Sequence, residues 1–191
     1  MLFRSRNQGM PGNPRARLTG AAYLAYFVTA IAASLISSSG LRAMGDFLNV
    51  VSYALYAVLT LLLFNLLRPV DRRLSLIAAV VSFLGCAAGA LSVLHPLPHP
   101  VNPLWFFGVY CLLIGYLILE STFMPRILGA AMALAGIGWL VFLIPSVAQH
   151  LGPVVEFLGI IAEALLMLWL LVKGVDVPRW HRQVRAADAS A

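Results

Sequence analysis

The sequence predicts an all-α fold: a polytopic integral membrane protein built as a six-transmembrane-helix bundle with both termini cytoplasmic. Three observations lead to this prediction. Hydrophobic residues make up 61% of the 191 residues and charged residues only 10%, whereas a soluble domain typically carries about 25% charged residues. Apolar runs of about 20 residues, the length of helix that crosses the hydrocarbon core, occur six times. Arginine and lysine collect in alternate connections between these runs.

The six apolar windows follow one another with short connections and use most of the chain. They cover residues 18–38, 47–67, 74–94, 104–120, 126–146 and 154–173. Two basic tails, residues 1–17 and 174–191, flank this membrane domain of residues 18–173. The connections are too short to hold a soluble domain, so we expect one compact bundle.

The first window has a competing interpretation as the apolar part of a cleaved signal peptide. Small residues follow it in the stretch "ISSSGLRA". However, its apolar run is longer than the 7–15 residues of a signal peptide. We therefore interpret it as the first membrane span.

The cationic residues fall on one side of the six-span arrangement. They precede span one, lie between spans two and three, and follow spans four and six, while Arg42 alone falls on the other side. Cytoplasmic loops carry such an excess of Lys and Arg, so we expect both termini on the cytoplasmic side of a bacterial inner membrane. The net charge of +6 then reflects topology and attraction to anionic membrane lipids. It does not indicate a nucleic-acid partner.

Turn residues separate the windows. Pro69 ends one helix and Asp71 is placed to cap the next, and Pro125 separates spans four and five. The stretch "HPLPHPVNP" contains four prolines, so we expect an extended external connection before span four.

Small residues recur at helix-packing spacing in two spans. Gly85 and Gly89 form a GxxxG pattern in span three, and Gly129, Ala133 and Gly136 follow a similar spacing in span five. Such stripes let helices approach closely in lipid. We expect them to pack against neighbouring helices of the same chain, with a homodimer as the alternative.

One carboxylate lies in the middle of span six. Glu163 stands about midway between Pro153 and Lys173, and Glu156 precedes it by seven residues, which places both on nearly one helix face. A charge at this depth is costly unless it faces the bundle interior and finds partners. We therefore expect both carboxylates to face the interior.

Polar side chains on other spans are the expected partners. Asn49, Tyr53, Tyr56 and Thr60 form a stripe on span two, and Thr19, Tyr23 and Tyr26 share one face of span one. Phenol hydroxyls donate hydrogen bonds to a carboxylate, while their rings provide apolar walls. We expect an outward-opening cavity in which a small or lipophilic ligand binds. The ligand-binding candidates are Glu163, Glu156, Tyr53, Tyr56, Asn49 and Tyr110.

The histidines raise the question of a metal site. His95, His99 and His150 fall at the external surface, close in depth to Glu156, and three imidazoles with a carboxylate would suit zinc. Two prolines separate His95 from His99, so this pair cannot use the i,i+4 geometry of a helix. We predict no metal and no cofactor, and these three histidines are the metal candidates to check.

Other chemical signatures are missing from the sequence. No histidine lies in the middle of a span, so a membrane haem held by two histidines is not expected. The sequence contains no nucleotide-binding GxxxxGK[ST] or GxGxxG motif and no HExxH or GxSxG hydrolase motif. Cys86 and Cys111 lie within spans, where a free thiol behaves as a small hydrophobe.

Four stretches resemble a known family. They are "ARLTGAAYLAY", "LLLFNLLRPVDRRLSLIAAV", "CLLIGYLILESTFMPRILGAAMALAGIGWLV" and "EALLMLWLLVKGV". In this order, over residues 15–176, the chain resembles the bacterial membrane family catalogued as domain of unknown function 4386. The resemblance implies a multi-span membrane protein and supplies no activity. Its pattern has acidic residues in span two and a histidine in span four, where this sequence has Asn49, Tyr56 and Tyr110, while Glu163 matches the glutamate of the last span.

Four functional hypotheses remain open from the sequence. The preferred one is a non-enzymatic membrane protein that binds a ligand at Glu163. A membrane-embedded enzyme would use Glu163 or Glu156 as a general acid on a lipid or isoprenoid. A proton-coupled carrier would require two copies of six spans to form a full pathway. In the last hypothesis the Glu163 carboxyl only ties helices together. The sequence assigns no catalytic residue.

Overall fold

Seven α-helices make up the fold in the computed structural model, which describes residues 14–95 and 101–189. No strand occurs in these two ranges. The helices are α1 (Pro14–Ser38), α2 (Arg42–Leu67), α3 (Arg72–Leu94), α4 (Pro103–Glu120), α5 (Arg126–Leu140), α6 (Pro145–Val172) and α7 (Val177–Ala189), and a short 3-10 turn at Val141–Leu143 follows α5. Helices α1 to α6, with this turn counted into α5, are long and apolar enough to cross a membrane. The predicted six-helix fold is therefore confirmed.

Two helices begin with a side-chain cap. The Asp71 side chain accepts a hydrogen bond from Leu74 N at 2.9 Å at the start of α3, as the sequence predicts. Asn102 caps α4 in the same way, accepting from Leu104 N at 3.0 Å, and Pro103 follows in the first helical turn. These caps satisfy backbone N–H groups that have no partner inside the helix.

Helix α6 begins earlier than the sequence predicts. It starts at Pro145 and not at residue 154, so Pro153 lies inside the helix. Pro145 suits the first turn, because the N–H that proline lacks has no intrahelical partner there. An internal proline is tolerated in membrane helices because neighbouring groups satisfy the freed backbone. His150 consequently lies on a helix and not in a connection.

The six long helices form a closed ring. Each contacts the next in sequence, and α6 returns to contact α1. Gly20 makes this closure possible, because a Cβ at Gly20 would lie only 2.6 Å from the backbone nitrogen of Leu171. The backbones of α1 and α6 therefore approach each other without a side chain between them.

The predicted small-residue stripes pack within the chain. A Cβ at Gly129 would lie 2.7 Å from Gly115 O, and one at Gly136 would lie 2.7 Å from Gly108 O. These contacts bring the backbones of α5 and α4 together. In α3, Gly85 faces the side chains of Phe106 and Phe107, and Gly89 faces the ring of Tyr53. Intramolecular packing is therefore observed, and the homodimer stays a prediction.

Helix α7 closes one end of the bundle, where the sequence analysis expected only a basic tail. Trp180 Nε1 donates to Leu66 O near the end of α2 at 3.0 Å. Gln183 Oε1 accepts from the backbone N and the hydroxyl of Thr122, which follows α4, at 3.2 and 3.0 Å. These contacts fix α7 across the end of the bundle, which we call the α7 end.

Candidate functional site

Glu163 lies in the interior of the ring. Its residue is 7% exposed, and it stands on the face of α6 that carries the buried residues Gly159, Leu166 and Leu170. The thiol of Cys111, on α4, points its Sγ toward Glu163 Oε1 at 4.0 Å. The Tyr23 side chain, on α1, lies close to the same carboxyl. Three helices thus meet at this carboxyl.

Phenol side chains from three helices surround the carboxyl. Tyr23 and Tyr26 of α1, Tyr56 of α2 and Tyr110 of α4 all lie close enough to interact electrostatically with Glu163. Together with Cys111 they form what we call the Glu163 cluster. The cluster consists of Glu163, Tyr23, Tyr26, Tyr56, Tyr110 and Cys111.

Tyr56 is the packing centre of the aromatic rings. Its ring meets that of Tyr26 at 4.8 Å and that of Phe107 at 4.9 Å between centroids, both edge to face. The rings of Tyr110 and Tyr23 lie farther away, at 6.0 and 6.5 Å. Edge-to-face pairs at these distances attract each other. The rings therefore hold α1, α2 and α4 in place around the carboxyl.

The polar atoms of the cluster retain unused hydrogen-bonding capacity. Among the described residues, the buried Tyr110 hydroxyl has no partner that meets full hydrogen-bond geometry. The neighbouring Thr60 hydroxyl donates to Tyr56 O at 2.9 Å and pairs with the Ser82 hydroxyl at 2.7 Å, which uses its one donor hydrogen and one of its two acceptor positions. A buried polar group without a partner is costly, so a further polar group is favoured beside Tyr110.

The structure separates the sequence-predicted candidates into two sets. Tyr56 and Tyr110 lie with Glu163, as expected. Tyr53 and Asn49 are half-buried on α2, and Tyr53 packs toward Gly89 of α3. They share the face of α2 that holds Tyr56 but precede it by about one and two helical turns, so they lie closer to the start of α2 than the Glu163 cluster does.

Glu156 does not face the interior, which corrects the expectation for this residue. It is exposed, although seven-residue spacing places it near the face of Glu163. At this height α6 contacts the end of α5 through Val155, which packs on Gly138, and through Gly152, which faces Phe142. Glu156, which follows Val155, lies outside this contact between α6 and α5.

The outward-opening cavity expected at Glu163 stays a prediction. Three cavities of the described chain are lined by residues of α7 or of the segments that contact it. Glu163 does not line any of these three. Its surroundings include the buried rings of Tyr23, Tyr56 and Tyr110.

The described histidines stand apart from one another. His95 ends α3 and His150 lies on α6, and both are exposed. His150 Nδ1 lies 2.9 Å from Ser146 O one turn earlier, so its ring is held by its own helix. His99 lies outside the described residues. Within the described ranges no three His, Cys, Asp or Glu side chains form a group that could hold a metal ion, and the absence of a metal site stays a prediction.

The ligand-binding candidates predicted from the sequence omit three members of the cluster, although Tyr23 and Tyr26 were among the expected partners of the carboxylates. Tyr23 and Tyr26 belong to a polar stripe on α1 that the sequence does reveal, but their depth relative to Glu163 depends on how α1 packs on α6. For Cys111 the sequence offered no indication of a role in the site, except that it follows Tyr110. A buried thiol beside a carboxyl cannot be distinguished by sequence from a thiol that only fills space.

Comparison with known proteins identifies a family and one relative. The family described as Domain of unknown function (DUF4386) matches residues 102–174, which include α4, α5 and α6. An "Uncharacterized protein" of the archaeon Archaeoglobus fulgidus is 32% identical over 123 residues, which is 59% of this chain and 72% of that protein. Similar proteins therefore occur outside bacteria. No solved structure matches the chain. On the strength of this family match and this relative, the chain belongs to the family described as Domain of unknown function (DUF4386).

Proposed function

We propose that the protein lies in the cytoplasmic membrane and binds a small lipophilic ligand at the Glu163 cluster. The observation that carries this proposal is the buried carboxyl of Glu163, which has a tyrosine hydroxyl and a cysteine thiol as its polar neighbours. A carboxylate offers about four acceptor positions. A ligand with a hydroxyl or amino group would supply the missing donors.

The surroundings of the carboxyl indicate the chemical class of this ligand. The walls are the faces and edges of Tyr23, Tyr26 and Tyr56, which favour an apolar or aromatic body. The Tyr110 hydroxyl provides a second polar contact. A ligand with an apolar body and one or two polar groups fits this combination. Tyr26 is only half-buried, so movement of its side chain is the shortest route by which such a ligand would reach Glu163.

The orientation in the membrane is part of the same proposal. The described cations at the starts of α1, α3 and α5 and in α7 all belong to one end of the bundle, while Arg42 begins α2 at the opposite end. By the positive-inside rule, the α7 end faces the cytoplasm.

Native mass spectrometry of the purified protein tests the ligand. We expect a small molecule to accompany the wild type and Glu156→Gln, because Glu156 is exposed on the same helix and is thus a matched control. Glu163→Leu should lose that molecule, since leucine offers no acceptor. Glu163→Gln should retain part of it, because the amide keeps one carbonyl oxygen. Thermal unfolding of each variant in detergent shows whether it folds.

The same variants separate the other hypotheses. If the carboxyl only ties helices together, Glu163→Leu will unfold at a lower temperature and no variant will differ in bound molecules. A membrane enzyme would keep its bound substrate in Glu163→Gln but stop converting it. A proton-coupled carrier would retain binding and lose the proton dependence of uptake into vesicles. If both Glu163 variants match the wild type in stability and in bound molecules, the site hypothesis fails.

A further inference from the structure

A cavity at the α7 end lies between three helices and combines cationic with apolar walls. Its volume is about 420 Å³, and α1, α2 and α7 all contribute to it. Its lining includes Arg15, Arg68, Asn65, Trp180, Leu18 and Leu62. This cavity is separate from the Glu163 cluster.

The polar wall of the cavity suits a phosphate group. Two arginines line it, Arg15 at the start of α1 and Arg68 at the end of α2. Among the described residues that line the cavity there is no acidic side chain. Asn65 Nδ2 donates to Leu61 O at 2.9 Å, which leaves its second N–H for an oxygen of a ligand. Guanidinium groups bind phosphate oxygens through paired hydrogen bonds.

The apolar wall of the cavity faces the lipid. Leu18 is 57% exposed, and Leu62 is half-buried beside it. Both residues lie on membrane-spanning helices within one or two turns of the arginines. The cavity is therefore cationic at the level of the headgroups and apolar at the level of the acyl chains.

Trp180 lies at the boundary between the headgroup level and the acyl-chain level of the cavity. Its indole N–H is bound to Leu66 O at 3.0 Å, so the ring is held at the edge of the cavity. Tryptophan in membrane proteins concentrates at the interface between headgroups and hydrocarbon. Helix α7 thus forms a wall that a lipid headgroup would contact from the aqueous side.

We propose that this cavity is a binding site for one anionic phospholipid, whose phosphate lies between Arg15 and Arg68 and whose acyl chains lie along Leu18 and Leu62. Two arginines and an amide line the cavity, and its described lining includes no acidic residue, which provides the charge complementarity. Basic pockets between membrane helices are a recurrent form of lipid headgroup recognition. The exposed Leu18 favours a lipid over a free phosphate ion, because an ion would not use the apolar wall.

Native mass spectrometry with defined lipids tests the proposal. The purified full-length protein is exchanged into detergent that contains equal amounts of phosphatidylglycerol and phosphatidylcholine. We expect retained phosphatidylglycerol on the wild type. The double variant Arg15→Gln/Arg68→Gln should lose about fivefold in affinity for each arginine removed. The matched control is Arg72→Gln/Arg73→Gln, which removes two exposed cations at the same end of the bundle and should bind like the wild type.

Three further measurements test whether charge, misfolding or a soluble phosphate ligand explains the lipid binding. Arg15→Lys/Arg68→Lys keeps both charges and should recover most of the binding, while thermal unfolding in detergent checks that the glutamine variants fold. Addition of inorganic phosphate or glycerol phosphate tests for a soluble ligand. Equal loss of lipid in the two double glutamine variants, equal retention of both lipids by the wild type, or displacement of phosphatidylglycerol by millimolar phosphate would each overturn the proposal.

Discussion

Thr60 illustrates how a single hydroxyl joins two helices in the interior of this bundle. Its hydroxyl is 2.7 Å from that of Ser82, and thereby connects α2 to α3, while it also donates to Tyr56 O within its own helix at 2.9 Å. Both residues are buried. The same hydroxyl lies beside Tyr110, so it also borders the Glu163 cluster.

We predict that Thr60→Val lowers the stability of the folded protein in detergent by about 0.6 kcal/mol, the average measured for hydrogen bonds between membrane helices. Valine has nearly the shape of threonine but cannot pair with Ser82. Thr29→Val is the matched control, because Thr29 donates only to Ala25 O of its own helix at 2.8 Å. Unfolding titrations in a denaturing detergent should distinguish the two variants. Equal stabilities would show that the α2–α3 hydrogen bond contributes nothing.

The candidate site could be predicted from the sequence only in part, and the reason lies in helix rotation. The depth of Glu163 follows from its position in an apolar run. Periodicity also places Tyr56 and Glu163 on polar faces. Periodicity does not fix how far each helix rotates against its neighbour, and a rotation of a few tens of degrees decides whether Glu156 faces the interior or the exterior. In the structure Glu156 faces the exterior, and Tyr23 lies in the interior of the bundle.

The α4–α5 pair shows at the scale of elements how glycines determine helix spacing. Gly136 on α5 lies so close to α4 that an added Cβ would be 2.7 Å from both Gly108 O and Leu112 N. Backbone atoms cannot move aside as the end of a flexible side chain can. In lipid, where helix association depends on close packing, this pair therefore depends on the absence of side chains.

Gly136→Ala should destabilise the protein by about 1–3 kcal/mol, the usual cost of overfilling a packed interior. Gly152→Ala is the matched control on α6, because a Cβ there would lie 3.5 Å from the nearest atom, Phe142 Cζ, in ordinary contact. We expect this control to be neutral or slightly stabilising, since alanine favours a helix more than glycine does. Thermal unfolding in detergent measures both. If Gly136→Ala is as stable as Gly152→Ala, the two helices are less closely constrained than their backbones indicate.

The elements themselves were predictable where hydropathy alone defines them. All six spanning helices follow from apolar length. The start of α6 was misjudged, because Pro153 suggested a boundary although the surrounding bundle accommodates it inside the helix. Helix α7 escaped prediction because its residues are mainly polar, and its stability depends on Trp180 and Gln183 contacting distant segments.

Orientation belongs to the scale of the whole molecule and is tested by labelling. We expect His150→Cys to react in intact cells with a maleimide that does not cross membranes, and Arg182→Cys to react only after the cells are opened. Both positions are exposed, whereas the native Cys86 and Cys111 are buried and should give little background. Labelling of Arg182→Cys but not His150→Cys in intact cells would reverse the proposed orientation.

The contact of α6 with α1 has a consequence for the order of assembly. A chain is synthesised from its N-terminus, so Tyr23 and Tyr56 enter the membrane before Glu163 exists. Until α6 arrives and packs at Gly20, the hydroxyls of α1 and α2 lack their carboxyl neighbour. The polar centre of the bundle is thus completed when α6 is made, and a chain interrupted before α6 would leave these tyrosine hydroxyls without the Glu163 carboxyl.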